Sequence, residues 1–122
     1  MKLVIKNGRV MDPASGRDEV TNIWVEDEKI IGFGEHPAEE LNAEGCVVAP
    51  GLVDVHVHFR DPGFTYKEDL ETGSRAASAG GFTTVVCMAN TKPIVDTPEV
   101  LQDILERTKS LPIHVKQASA VS

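Results

Sequence analysis

Apolar and polar positions along the chain change rhythm near residue 50. Before it, short runs rich in β-branched and alternating apolar residues predict strands at Leu3 to Lys6, Arg9 to Met11, Thr21 to Glu26 and Lys29 to Phe33. Between the first two, Asn7-Gly8 predicts a two-residue hairpin turn, because both residue types tolerate positive φ. A polar loop runs through Asp12-Pro13 and Ser15-Gly16, and Asp27-Glu28 marks a second turn. Glu35 to Asn42 is polar without a strand pattern, whereas Ala43 to Ala49 returns to strand character. Residues 1–50 read as a small β unit.

After Pro50-Gly51 strands alternate with helices. Leu52 to His58 predicts a strand, and Lys67 to Ala79 a helix with Leu70, Gly73, Ala76 and Ala77 on one face. Gly80-Gly81 ends that helix, since glycine accepts the left-handed conformation at a cap. Phe82 to Met88 is a second strand, and Ala89 to Asp96 a loop. Thr97-Pro98-Glu99 combines an N-cap hydroxyl, a first-turn proline and an acid at the positive end of the helix dipole. Val100, Leu101, Ile104 and Leu105 supply the buried face of the helix that follows. Leu111-Pro112 breaks it, and Ile113 to Ala120 predicts a third strand. The series is βαβαβ, which implies parallel strands joined by crossovers, hence an α/β fold class from residue 51 to 122.

The polar residues of this second part fall in a telling place. His56 and His58 alternate along a strand, so both imidazoles project the same way, about 6.6 Å apart at the backbone. Neutral imidazole suits zinc and its neighbours, and two such ligands are half of a metal site. His58, Arg60 and Asn90 lie at or just beyond the C-terminal ends of strands, the face that carries ligands in open α/β sheets and (β/α)8 barrels. Asp54 shares the face of His56 and reads as a strand residue deeper in the sheet, hydrogen-bonding behind the ligands. His36 reads as exposed, and His114 as a satisfied strand histidine. Neither a Gly-x-Gly-x-x-Gly nor a Walker-type Gly-Lys-Ser/Thr follows any strand, which removes the main support for dinucleotide and phosphate-loop chemistry.

Composition narrows the classes. The 122 residues are 41% hydrophobic and 25% charged, a globular balance, and the net charge of −7 without a basic stretch argues against nucleic acid as a partner. The opening apolar run is shorter than the roughly 7 to 15 residues of a signal-peptide core, and no run approaches ~20 apolar residues, so the expectation is a cytoplasmic protein that does not cross a membrane. Cys46 and Cys87 form no Cys-x-x-Cys pair and read as reduced structural residues.

Val47 to Gly63 (VVAPGLVDVHVHFRDPG), followed by Tyr66-Lys67-Glu68-Asp69, Gly80-Gly81-Phe82-Thr83-Thr84 and Met88-Ala89-Asn90-Thr91-Lys92-Pro93, resembles the N-terminal part of a dihydroorotase of the amidohydrolase superfamily. Ile5 to Val10 with Asp12-Pro13 resembles the β-sandwich strands that precede the barrel in such cyclic amidohydrolases. The resemblance implies a β-sandwich segment over 1–50 and the first strands and helices of a (β/α)8 barrel over 51–122, stopping near the third strand. It implies a zinc enzyme that interconverts N-carbamoyl-L-aspartate and L-dihydroorotate in pyrimidine synthesis. His56 and His58 take the places of metal ligands, and Arg60 and Asn90 those of substrate-binding residues. Asp61 stands where many relatives carry glutamate, and Ala89 where many carry proline.

A full barrel needs eight strand-helix units and typically ~250 residues, so the remaining metal ligands and the catalytic aspartate are expected beyond Ser122. No catalytic residue is therefore assigned within the chain, and by itself it is expected to be inactive. Three strands cannot close a barrel, so one sheet edge is expected to be exposed; a piece of a longer chain, a piece completed by another chain and a homo-oligomer all stay open as partners for it. Two other readings stay open: another cyclic amidohydrolase, such as a hydantoinase or allantoinase, and a noncatalytic structural partner chain. Arg60 favours an acidic substrate over the first of these, and His56, His58 and Arg60 together speak against the second.

Overall fold

A computed structural model describes residues 1–121, which form two compact units that divide after Pro50. The first is a five-stranded sheet. Strands β1 (Lys2–Asp12), β2 (Arg17–Glu26), β3 (Lys29–Phe33) and β4 (Glu39–Asn42) lie in the order β3-β2-β1-β4, and the short β5 (Val47–Val48) also pairs with β1. β1 runs antiparallel to β2 and parallel to β4 and β5.

Asn7-Gly8 does not turn the chain. β1 passes straight through both residues, and its register against β2 shifts between Ile5 and Gly8, which is a bulge. Asn7 adopts φ +63°, its N–H donates to Asn22 Oδ1 at 3.1 Å, and its side-chain amide donates to Asn42 Oδ1 at 3.0 Å. Gly8 is needed for a close approach, because a Cβ there would lie 2.6 Å from Val48 Cγ2. The tolerance of positive φ that suggested a hairpin is used instead to fit an extra residue into a long strand. Asp27 and Glu28 do form a tight turn, with φ of +47° and +65°, as a type I′ hairpin between β2 and β3 requires.

β4 lies within the polar stretch that the sequence pattern leaves outside any strand. All its residues are exposed, so no periodicity marks it. Parallel pairing with Leu3 to Lys6 and a 2.7 Å Lys6–Glu40 ion pair hold it in place. Conversely, the strand expected over Ala43 to Ala49 shrinks to two residues. Val4, Val10, Ile23 and Ala43 form the small buried core of this unit.

The second unit is a parallel sheet of β6 (Leu52–Val57), β7 (Phe82–Cys87) and β8 (His114–Gln117), in that order. Helices α1 (Leu70–Ala79) and α2 (Pro98–Arg107), the latter followed by a 3₁₀ turn at Thr108–Ser110, make the crossovers. This is the expected α/β alternation, the opening pattern of a (β/α)8 fold. α1 starts later than its composition suggests, because Asp69 caps it: Thr72 N–H donates to Asp69 Oδ1 at 2.8 Å, and Thr72 Oγ1 accepts from Asp69 N–H. Thr97 caps α2 with Pro98 in the first turn.

Phe59, Leu70, Val85, Cys87, Val95, Ile104, Ile113 and Val115 form the core between sheet and helices. Leu105, assigned to the buried face of α2, is 41% exposed, while Ile104 carries that face with complete burial. Leu52, Val53 and Val55 of β6 stay exposed. Burial pushes the Cys87 thiol up to about 11, so it behaves as a small core hydrophobe.

Gly73 decides how closely α1 approaches the sheet. A Cβ on it would lie 2.6 Å from the Phe59 ring. Gly73→Ala gains about 1 kcal/mol of helix propensity but overpacks a filled core at about 1–3 kcal/mol, so a net loss of stability is expected in urea unfolding. An unchanged or raised midpoint would show that the ring yields freely.

Candidate metal and substrate site

β6 is not regular to its end. Asp54 Oδ1 accepts the backbone N–H of His56 at 2.9 Å, and the pairing with β7 shifts between Asp54 and Val57. The Asp54 side chain thus takes a donor that the ladder would otherwise use, one residue before the chain leaves the sheet. The ladder resumes beyond it, where Met88 N–H donates to Val57 O at 2.9 Å. His56 and His58 emerge side by side, their ring centroids 5.1 Å apart and their planes at 64°.

His58 lies just past β6 and meets the end of the next strand. Its Nδ1 is 3.0 Å from Asn90 Oδ1. An amide oxygen can only accept, so Nδ1 is the donor, and in the neutral ring Nε2 keeps its lone pair. A histidine that ligates a metal through one nitrogen is commonly oriented this way through the other. The Asn90 amide nitrogen remains available as a donor of two hydrogens.

Arg60 follows two residues later with φ +63°, a left-handed conformation that few non-glycine residues hold. Its neighbours on both sides, Phe59 and Asp61, are buried. Its guanidinium has no hydrogen-bond or ion-pair partner among the described residues. The loop after β6 packs tightly on the loop after β7. Lys92 N–H donates to Pro62 O at 3.1 Å, and a Cβ on Gly63, whose φ is +92°, would lie 2.1 Å from Lys92 O. Only glycine permits that approach. Thr91, buried beside Asn90, donates its hydroxyl to Pro93 O at 2.7 Å and stiffens the second loop.

The structure therefore brings His56, His58 and Asn90 together, and Arg60, on the loop that His58 begins, has no partner among the described residues. Among the described residues no group of three or more His, Cys, Asp or Glu could hold a metal ion, so two imidazoles are what this chain offers one. His114 is exposed on β8, and His36 is half-buried, stacked on Trp24 with centroids 3.4 Å apart.

Two supporting residues were invisible to motif reading. Gln117 donates its amide to the carbonyls of Cys87, Met88 and Ala118 at 3.2, 3.2 and 2.9 Å, clamping the end of β7 just before Asn90. Arg107 grips Asp61 with both terminal nitrogens, at 3.0 and 2.9 Å, and that carboxylate raises the guanidinium above its ordinary pKa. Neither sits in a recognisable motif, and an (i, i+4) charge pattern on α2 points Arg107 toward Asp103 alone.

Comparison with known proteins places this geometry in context. Residues 45–119 match the family model described as Dihydro-orotase-like. The chain is 52% identical to a dihydroorotase of Clostridioides difficile, over 98% of this chain and 30% of that protein. It is 54% identical to a dihydroorotase of Streptococcus pneumoniae, over 98% of this chain and 29% of that protein. Among solved structures, the dihydropyrimidinase from Brevibacillus agri matches with a TM-score of 0.82 at 25% identity, covering 100% of this chain and 28% of that one. The chain spans under a third of the length of these relatives. On the family match over residues 45–119, with its His-x-His strand end inside the matched region, the chain belongs to the dihydro-orotase-like family of cyclic amide hydrolases.

Proposed function

We propose that the chain supplies the first part of a zinc-dependent dihydroorotase site, which interconverts N-carbamoyl-L-aspartate and L-dihydroorotate in pyrimidine synthesis, in the cytoplasm. The observation that carries this reading is the 3.0 Å contact between His58 Nδ1 and Asn90 Oδ1, with His56 alongside. Two neutral imidazoles on one face fit zinc as a partial donor set. His56 and His58 would hold the ion, the latter through Nε2. A zinc ion bound there supplies Lewis-acid polarisation of the amide carbonyl under attack.

The remaining tasks fall to named groups. Arg60, with no partner among the described residues, presents a planar fork that pairs with the substrate carboxylate. Asn90 does two things with one amide: its oxygen fixes the His58 ring, and its nitrogen donates to a substrate oxygen. The further metal ligands and the proton-carrying carboxylate come, in this reading, from a completing segment or chain. A hydantoinase site has likeness to solved structures in its favour, including an L-hydantoinase from Arthrobacter aurescens at 28% identity. Arg60 and the 52% identity to a dihydroorotase favour the acidic substrate. A noncatalytic partner role would leave the unpaired Arg60 and the oriented His58 without a purpose.

In a full-length protein carrying this segment, Arg60→Ala removes charge-assisted hydrogen bonds worth about 1.5–3 kcal/mol and is expected to raise KM for L-dihydroorotate about 10- to 100-fold, with zinc content unchanged. Steady-state kinetics with metal analysis decides it, and an unchanged KM removes Arg60 from this role. The 122-residue chain alone is expected to bind zinc weakly and not to cyclise N-carbamoyl-L-aspartate, as two ligands dictate. Tight stoichiometric zinc in a calorimetric titration, together with turnover, would contradict the half-site reading.

A further inference from the structure

We propose that Arg107, on α2, is a positioning residue for Arg60, acting through Asp61. Arg60 holds a left-handed backbone at φ +63°, which a non-glycine residue keeps only when its surroundings fix it from both sides. On one side Phe59 is buried against Gly73 of α1. On the other, Asp61 is 8% exposed, and its carboxylate accepts from Leu70 N–H at 3.3 Å and from Arg107 Nη1 and Nη2 at 3.0 and 2.9 Å. Phe64 N–H closes the turn on Arg60 O at 2.8 Å.

Of these restraints, the guanidinium fork sets the direction of the Asp61 carboxylate. Two parallel hydrogen bonds fix a plane, which one backbone donor cannot. Arg107 is itself steadied, since its Nε donates to Asp103 Oδ2 at 3.0 Å, one turn back on α2. Without the fork, Asp61 is a buried carboxylate with a single long hydrogen bond, and it turns toward water. Arg60, tethered to it by one peptide, then leaves the left-handed region, and its unpartnered guanidinium loses its aim. Lysine keeps the charge of Arg107 and lacks the fork, so it cannot substitute. The second strand-helix unit thereby sets the direction of a side chain on the loop of the first.

The inference rests on Arg60 as the residue that binds the substrate carboxylate, so the test has one arm that depends on this and one that does not. NMR of the 122-residue chain reads the Arg60 backbone through its HN–Hα and Cα–Hα couplings, in the wild type, Arg107→Ala and Arg107→Lys. Arg75→Ala, which breaks the exposed Arg75–Glu71 pair on α1, is the control. Kinetics of the same variants in a full-length protein carrying the segment give the second arm. The expected result is left-handed couplings in the wild type and in Arg75→Ala, and extended couplings in both Arg107 variants, with the Val85 and Ile104 amides unmoved. KM for L-dihydroorotate then rises about tenfold while kcat changes less than about twofold.

Left-handed couplings that persist in both Arg107 variants overturn the proposal. So does loss of the Val85 and Ile104 signals in both, which would make the pair a support of the whole unit. If the couplings shift but KM does not, Arg60→Ala separates the cases. A raised KM in Arg60→Ala overturns the proposal, whereas an unchanged one refutes the carboxylate-binding reading and leaves the positioning of Arg60 by Arg107 standing.

Discussion

The hydrogen bond between His58 Nδ1 and Asn90 Oδ1 joins the ends of two neighbouring parallel strands, and the candidate site is built around it. A parallel ladder brings the C-terminal ends of β6 and β7 side by side but does not by itself fix the loops that leave them. The side-chain bond does so, and the backbone contact of Lys92 with Pro62 closes the same gap further out. Glycine at position 63 is the steric condition for that second contact. A substituent there would push the loops apart and draw Asn90 from His58. Glycine at 63 thus lets the two loops meet close to the bond between His58 and Asn90.

The same logic explains which features were legible in the sequence. The placement of His56, His58, Arg60 and Asn90 at or just beyond strand ends was readable because alternation along a strand and position at strand ends are local properties. The helix start at Thr97-Pro98 and the place of Gly73 on the packed face of α1 were readable because they too are local patterns. Asn7-Gly8 misled because its signal is conformational rather than topological: positive φ serves a hairpin or a bulge, and the long-range partners Asn22, Asn42 and Val48 decide which. β4 was illegible because a fully exposed edge strand has no buried face to imprint a period. Arg107 and Gln117 were missed because their partners lie 46 and at most 30 residues away, and no short-range pattern encodes such pairs.

Order within the second unit also explains why the candidate site lies there. The apolar cluster from Phe59 to Val115 lies between sheet and helices, and the loops that carry the site rise from its edge. Phe59 and Asp61 are buried on either side of the half-buried Arg60, so its backbone is anchored from both sides. The core fixes a scaffold, the scaffold fixes two loops, and the loops leave Nε2 of His58, the Asn90 amide nitrogen and the Arg60 guanidinium without partners among the described residues. Those are groups that a metal and an acidic substrate would satisfy. Two imidazoles remain an incomplete donor set, consistent with a chain that spans 30% of the relative it matches in Clostridioides difficile.

Asn90 holds the His58 ring by its Nδ1, which in the neutral ring leaves the lone pair on Nε2. Long-range proton–nitrogen correlation NMR of the neutral imidazoles reads this directly, in the wild type and in Asn90→Leu. The account predicts that His58 carries its proton on Nδ1 in the wild type and loses that preference in the variant. A proton on Nε2 in the wild type, or the same tautomer balance in both proteins, would contradict it.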